Sequence, residues 1–308
     1  MGVSRFDIIE ANGFNGPVLS PGARVFYVNN ATSGLPVGAV GGSNGNSGDS
    51  PLKPFSTLAY AISQCSSGRG DMIYVMPGHS ETVTAPITID KNNVQIIGAK
   101  TGNNRPTFTI NGAVDLINVS ASGVYMASLK LTIITTDEAT ALLNVSGANC
   151  HFFDLQMIPS TAGSINVVDC ITLASGANDC ILEKIDIRNT LTAVNSFLSI
   201  EAAVARLTVR DCFFFGDCVT AGVIDGAAAT QLRLENNTIG TIGTTIPAAI
   251  LDSNPTGVVD NNRFLGTHTT IASNAQLGNA VRQARSYVLE QTDNSAQATD
   301  VIPVKDVE

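Results

Sequence analysis

Tryptophan is missing from the 308 residues, histidine occurs only three times, aromatic side chains make up 6% and charged ones 14%. An average domain is roughly a quarter charged; with 28 glycines beside it, this profile suits strands and tight turns. Basic residues number 17 against 26 acidic ones, a net charge of -9, and they stand singly along the chain. Without a cationic footprint for phosphate backbones or anionic lipid, neither nucleic acid nor a membrane surface is expected as a partner. No apolar run reaches the ~18 residues of a membrane span. The first residues carry neither a secretory apolar region nor the Ser or Thr at position 6 that myristoylation wants. A soluble protein made in a cytoplasm is expected, with 44% hydrophobic residues to build its core.

Linear signatures of cofactor chemistry are missing as well. The six cysteines (65, 150, 170, 180, 212 and 218) contain no C-x-x-C, and four fall on apolar positions of the repeat described below, so they are expected buried and reduced. His79, His151 and His268 are far apart and form no H-x-x-x-H or H-E-x-x-H. Neither a P-loop nor a dinucleotide glycine motif follows a strand, and no nucleophile motif is recognisable. No cofactor and no metal are expected.

What the chain does contain is a repeat. A template of eight positions, with positions 1, 3, 6 and 8 mostly apolar, fits VQIIGAKT (94–101), VYMASLKL (124–131), CHFFDLQM (150–157), CILEKIDI (180–187), LTVRDCFF (207–214), LRLENNTI (232–239) and GVVDNNRF (257–264). The offsets are 30, 26, 30, 27, 25 and 25. From the second segment on, a second short apolar run precedes each one: LINV (116–119), LLNV (142–145), CITL (170–173), FLSI (197–200), GVID (222–225) and AILD (249–252). The reading is two strands per unit. The period is too short for a crossover helix and no 3.6-residue periodicity lies between the strands, so a solenoid of parallel strands remains.

In such a stack like residues form columns, and the inward column must be apolar. Position 3 supplies it: Ile96, Met126, Phe152, Leu182, Val209, Leu234 and Val259. Position 6 changes from Leu129, Leu155 and Ile185 to Cys212, Asn237 and Asn262, and the last two are expected to form an asparagine ladder. The variable spacing contradicts the strict hexapeptide repeat of left-handed coils. The expected fold is all-β, a single-stranded right-handed parallel β-helix.

The flanks differ. Residues 1–50 are expected to be an N-terminal arm, with RVFYVN (24–29) as an isolated strand and a Gly, Ser and Asn loop over 30–50. The stripe Phe55, Leu58, Ala59, Ile62 and Cys65, behind Pro54, predicts a capping helix near 55–66 at the start of a β-helix spanning 51–268. Ala275 to Glu290 reads as a helix within a C-terminal segment, 269–308, that packs between subunits.

The stretch 24–83, with RVFYVNNATSG, GDSPLKPFSTLAYAIS and RGDMIYVMPGHSETV, resembles the opening segment of pectate-lyase-like right-handed β-helix proteins of tailed-bacteriophage virions. The repeat continues that likeness to about residue 268. The resemblance implies a homotrimer attached to the major capsid protein or to other virion proteins. It implies the fold strongly and an activity not at all, because lyases, hydrolases, tailspikes and inert structural proteins share it.

Lyases of this fold carry clustered Asp for calcium with an Arg or Lys base on outward positions. Here outward position 4 holds Glu183, Arg210, Glu235 and Asp260, and position 5 holds Asp154, Lys184 and Asp211. Alternating signs suit solvated cross-strand pairs, and the competing reading is an acid and base pair, Glu183 with Asp211 or Glu235. Few aromatics, such as Tyr125 and Phe213, are left to stack on a sugar. His79 and Glu81 are expected to cap a turn, Arg69-Gly70-Asp71 to serve a turn rather than adhesion, and the sequons at Asn118 and Asn144 to lie inside strands. The expectation is therefore a trimeric capsid decoration or head-spike protein without enzymatic activity. The alternatives are a tailspike or tail fibre that binds or depolymerises host surface polysaccharide, and last a secreted lyase.

Overall fold

The structure, a computed structural model, describes residues 21–99, 104–134, 138–159, 167–242, 246–251, 255–266, 275–277, 281–284 and 286–290. Each complete coil runs through three faces. In the coil that begins at Tyr125, Tyr125–Ala127 lies on the first face, Lys130–Ile133 on the second and Ala139–Val145 on the third. The next coil repeats them as His151–Phe153, Gln156–Ile158 and Val167–Leu173. Among the described residues the pairings between successive coils are parallel, and on the first face they keep register, so Phe152 stands between Met126 and Leu182, and Val209 between Leu182 and Leu234; between Asp186–Ile200 and Phe213–Asp225 the register shifts near Val194. The chain is a parallel β-helix.

Three strands per coil correct the expectation of two. The eight-position template crosses a corner at position 5, so it holds two strands, and the upstream apolar run is the third. At that corner Ser128, Asp154, Lys184, Asp211, Asn236 and Asn261 have φ between 51° and 59°. A second corner column precedes the first-face strand, with Asn93, Asn149, Asp179, Arg206 and Gln231 at similar angles. Asn and Asp tolerate this left-handed region better than other non-glycine residues. Backbone bonding between coils continues through the corner, where the Asp154, Lys184 and Asp211 amides donate to Glu183, Arg210 and Glu235 carbonyls at 3.0, 3.1 and 3.1 Å.

Met126, Phe152, Leu182, Val209, Leu234 and Val259 are all wholly buried. The second face adds Leu131, Met157, Ile187, Phe214, Ile239 and Phe264, stacked in the same way. Burying one such side chain stabilises by about 1.5–3 kcal/mol, so the rod is held by many coils, each making a small contribution.

At the N-terminal end the helix α1 spans Leu58–Gln64, with Thr57 as its cap and Leu58, Ala61 and Ile62 buried against the first coils. It is shorter than 55–66 because Phe55 is used otherwise: its amide and carbonyl bond to Tyr27 and Asn29 at 2.9 Å each. The strand Val25–Val28 is not isolated, as expected, but pairs along its whole length with Met72–Val75. The C-terminal helix over 275–290 is also corrected. Ala275–Leu277, Val281–Ala284 and Tyr287–Glu290 are strands paired with Ala249–Leu251, Gly257–Asp260 and Arg263–Gly266, so coiling passes the expected boundary at 268. A spacing of four between Leu277 and Val281 fits a helix turn or a strand, corner and strand equally, and pairing with the preceding coil decides it. Residues 1–20 and 291–308 of the expected arm and tail lie outside the described residues.

Candidate functional site

First-face strands aim positions 2 and 4 outward. One outward column is Gln95, Tyr125, His151 and Ile181. Its neighbour is Ala127, Phe153, Glu183, Arg210, Glu235 and Asp260. The columns bring together residues that no linear motif connects. His151 Nε2 lies 3.1 Å from Glu183 Oε2, and Arg210 Nη2 donates to the same oxygen at 2.7 Å. Their side chains are 31%, 13% and 41% exposed, so the group is half-sunk in the surface.

The electrostatics sort the roles. Burial raises the Glu183 pKa, but the Arg210 hydrogen bond and charge, with help from His151, outweigh it and leave the carboxyl below its usual value. It is therefore an anion at neutral pH. Burial lowers the His151 pKa and Arg210 lowers it further, while Glu183 raises it in part; the net shift is downward. A neutral imidazole beside an ionised carboxylate must place its proton on Nε2 to donate. Nδ1 then keeps a lone pair that meets no partner among the described residues.

Around this centre the Tyr125 ring meets the His151 ring edge-on at 5.3 Å, and the Phe153 ring lies 6.2 Å from that of His151. Burial, then Glu183 and Asp154, push the Tyr125 hydroxyl up to about 12, so it stays a neutral donor. The exposed Lys184 holds its ammonium 5.0 Å above the Phe153 ring. Asp154 accepts from Ser128 Oγ at 2.9 Å and from Arg105 Nη2 at 3.0 Å, and Arg105 also bonds to its carbonyl. Gln95, next to Tyr125 in the column, is 6% exposed and its Oε1 has no hydrogen-bond partner among the described residues.

Of the carboxylates singled out in the sequence, only Glu183 enters this group. Glu235 is two coils away, about 9.6 Å along the stack, with Arg210 between them in register, and it accepts from its own neighbour Arg233 at 2.6 and 2.9 Å. Asp211 occupies the left-handed corner. Neither completes an acid and base pair with Glu183, and His151 is the residue that sequence reasoning missed. Its signal was present: position 2 of one coil is diagonal to position 4 of the next.

Other singled-out residues serve the fold. Asn237 Oδ1 accepts from the Cys212 amide and Asn262 Oδ1 from the Asn237 amide, both at 2.9 Å, while their side-chain amides donate to Val209 and Leu234 carbonyls. His79 Nδ1 accepts from the Asn30 amide at 3.2 Å, its Nε2 meets Glu81 at 3.1 Å, and Glu81 receives the Leu58 amide at the start of α1 at 2.9 Å. Asp71 is fully buried, clasped by Arg69 and by the Arg24 and Ser66 amides. Asn118 and Asn144 are neighbours in strands on the third face. All six cysteines are free and buried. Among the described residues no group of three His, Cys, Asp or Glu could hold a metal ion, and His268 lies outside them.

No family model matches the chain and no curated protein matches its sequence. Among solved structures it is similar to a rhamnogalacturonan lyase, with 12% identity over 78% of this chain and 74% of that one and a TM-score of 0.47. It is also similar to ORF18 of Geobacillus virus E2, with 12% identity over 76% of this chain and 57% of that one and a TM-score of 0.35. The third is pectate lyase Pel9A, with 14% identity, 93% and 84% coverage and a TM-score of 0.36. At these identities the likeness is one of fold. The expectation of a chain without enzymatic activity is corrected at this point: two of these three structures are lyases by description, and lack of a linear motif is no sign against chemistry in a fold that assembles sites from separate coils.

Proposed function

We propose that the chain is a structural β-helix protein of a tailed-bacteriophage particle, a homotrimer bound to the major capsid protein or another virion protein. The observation that carries this reading is the stretch 24–83, whose sequence resembles phage β-helix proteins. It folds as one closed cap, with Val25–Val28 on Met72–Val75 and Glu81 holding the first amide of α1. Mass spectrometry of purified particles with sedimentation of the purified protein tests it. Presence in the particle and a trimer mass are expected; absence from the particle, or a monomer in both settings, overturns it.

A second reading is favoured by the first-face cluster: the rod engages polysaccharide of the host surface, as a tailspike or tail fibre does. Half-buried Tyr125 and Phe153 offer ring surface, and His151, Lys184 and Gln95 offer donors and acceptors within one row of coils. Sugar recognition combines such faces with such polar groups. Calorimetric titration with host surface polysaccharide should show binding that Tyr125→Ala weakens at least tenfold. Equal affinity for the two proteins removes this reading.

A further inference from the structure

The geometry points to a catalytic site on the first face: His151, oriented by Glu183, is a general base that activates water against an ester carried by a bound glycan, such as an O-acyl group. This rests on the second reading above and names the chemistry of that same face.

The arrangement has the parts of a base dyad. Glu183 is ionised, fixed by Arg210, and accepts a hydrogen bond from the His151 Nε2–H, which leaves the Nδ1 lone pair as the only acceptor of the ring. A carboxylate behind an imidazole fixes the tautomer and stabilises the imidazolium that forms when the ring accepts a proton. Among the described residues the charged and titratable groups that act on the ring are Tyr125 from the preceding coil, Glu183 from the following one and Arg210 beyond it; Asp154 acts on Tyr125, and Lys184 lies over Phe153. His151 and Glu183 lie on strands stacked in register, so the pair is held by the rod itself.

The proton inventory selects the reaction. Cleaving a glycosidic bond requires a proton donor for the leaving oxygen near neutrality. Glu183 is an anion and Tyr125 holds its proton to about 12, so neither fits. Ester hydrolysis needs one group that takes a proton from water and later returns it, with a pKa near the working pH, and a histidine does this. Water oxygen attacks the acyl carbon while its proton passes to His151 Nδ1. The bond from the acyl carbon to the sugar oxygen then breaks, and the proton passes from His151 to that oxygen. Water and ester give a carboxylic acid and a sugar hydroxyl, with no oxidant or further reactant. Lys184, exposed beside the ring of Phe153, supplies positive charge for the carbonyl oxygen.

The test uses the full chain with 4-nitrophenyl acetate as the probe, followed by acetate release from O-acetylated host polysaccharide. The wild-type rate should rise with pH through an inflection below 6.5, the ordinary histidine value. His151→Gln should lose about a hundredfold or more. Glu183→Gln should lose about tenfold and move the inflection lower still, because the carboxylate no longer lifts the imidazole; a purely structural role for Glu183 would leave that inflection in place. Thermal unfolding of each variant identifies misfolding, and the wild-type pH profile stands on its own if a variant does not fold. Hydrolysis by wild type equal to His151→Gln, or equal to buffer, overturns the inference. Polysaccharide binding is measured alongside: binding without His151-dependent hydrolysis ends this inference and spares the second reading, whereas absence of binding ends the second reading and with it the assignment of a glycan ester, even if 4-nitrophenyl acetate is hydrolysed.

Discussion

His151 Nε2 and Glu183 Oε2 lie 3.1 Å apart although 32 residues of chain separate them. The contact exists because one coil of the rod returns the chain to the same face one strand further on, with Phe153 opposite Glu183. Chemistry on this scaffold is therefore a property of columns and of the bonds between coils.

Glu183 gives the stability curve an acid limb. Its folded pKa is held below the ordinary 4.5 chiefly by Arg210, against the pull of burial. A depressed carboxylate contributes stability that is fully present above its unfolded pKa and is lost as pH falls through the folded one. Chemical unfolding measured from pH 7 to pH 3 should show a smaller acid loss for Glu183→Gln than for wild type. Equal slopes would show that the Arg210 and His151 contacts are not made in solution.

Asn237→Ala strands groups in the coils on both sides of it. The Cys212 amide loses its acceptor, the Val209 carbonyl loses a donor, and Asn262 Oδ1 loses one of its two partners. Each orphaned buried group costs about 1–3 kcal/mol. Urea unfolding should place this variant well below Asn236→Ala, whose position is an exposed corner. Similar midpoints for the two would contradict the ladder.

Phe152→Ala empties the centre of the inward column between Met126 and Leu182. Loss of a buried phenylalanine costs about 3–5 kcal/mol, and neighbours in a stacked rod have little room to collapse into the gap. A loss under about 1 kcal/mol in urea unfolding would mean that Phe152 is not in a dry core.

His79→Ala should loosen the cap first. It removes the acceptor of the Asn30 amide and a partner of Glu81, the residue that receives the first amide of α1. Limited proteolysis is expected to cut between Asn30 and Leu58 many times faster than in wild type, while the coils beyond Tyr125 keep their protection. Unchanged cleavage there would contradict the network.

The coil was legible in the residues because burial imposes a period: Ile96, Met126, Phe152, Leu182 and Val209 recur where an inward column must be apolar. What burial does not dictate was harder to read. Ser128, Lys184 and Arg206 carry no mark of a left-handed corner, so the template hid two strands in one segment. The strands over 275–290 have an apolar spacing that helix and coil share, and only pairing with Ala249 and Gly257 separates them. Of the site, Glu183 and Arg210 were visible as alternating charges in one column. His151 was not, since its contact with Glu183 is diagonal and depends on the register of two strands.

A density map of the protein on an intact particle, at side-chain detail, tests these conclusions together. It should show three copies around one axis, coils about 4.8 Å apart, and His151, Glu183 and Arg210 in one row on an outer face. Phe152, Leu182, Val209 and Leu234 in separate compact bodies, or a particle that lacks the protein, would contradict them.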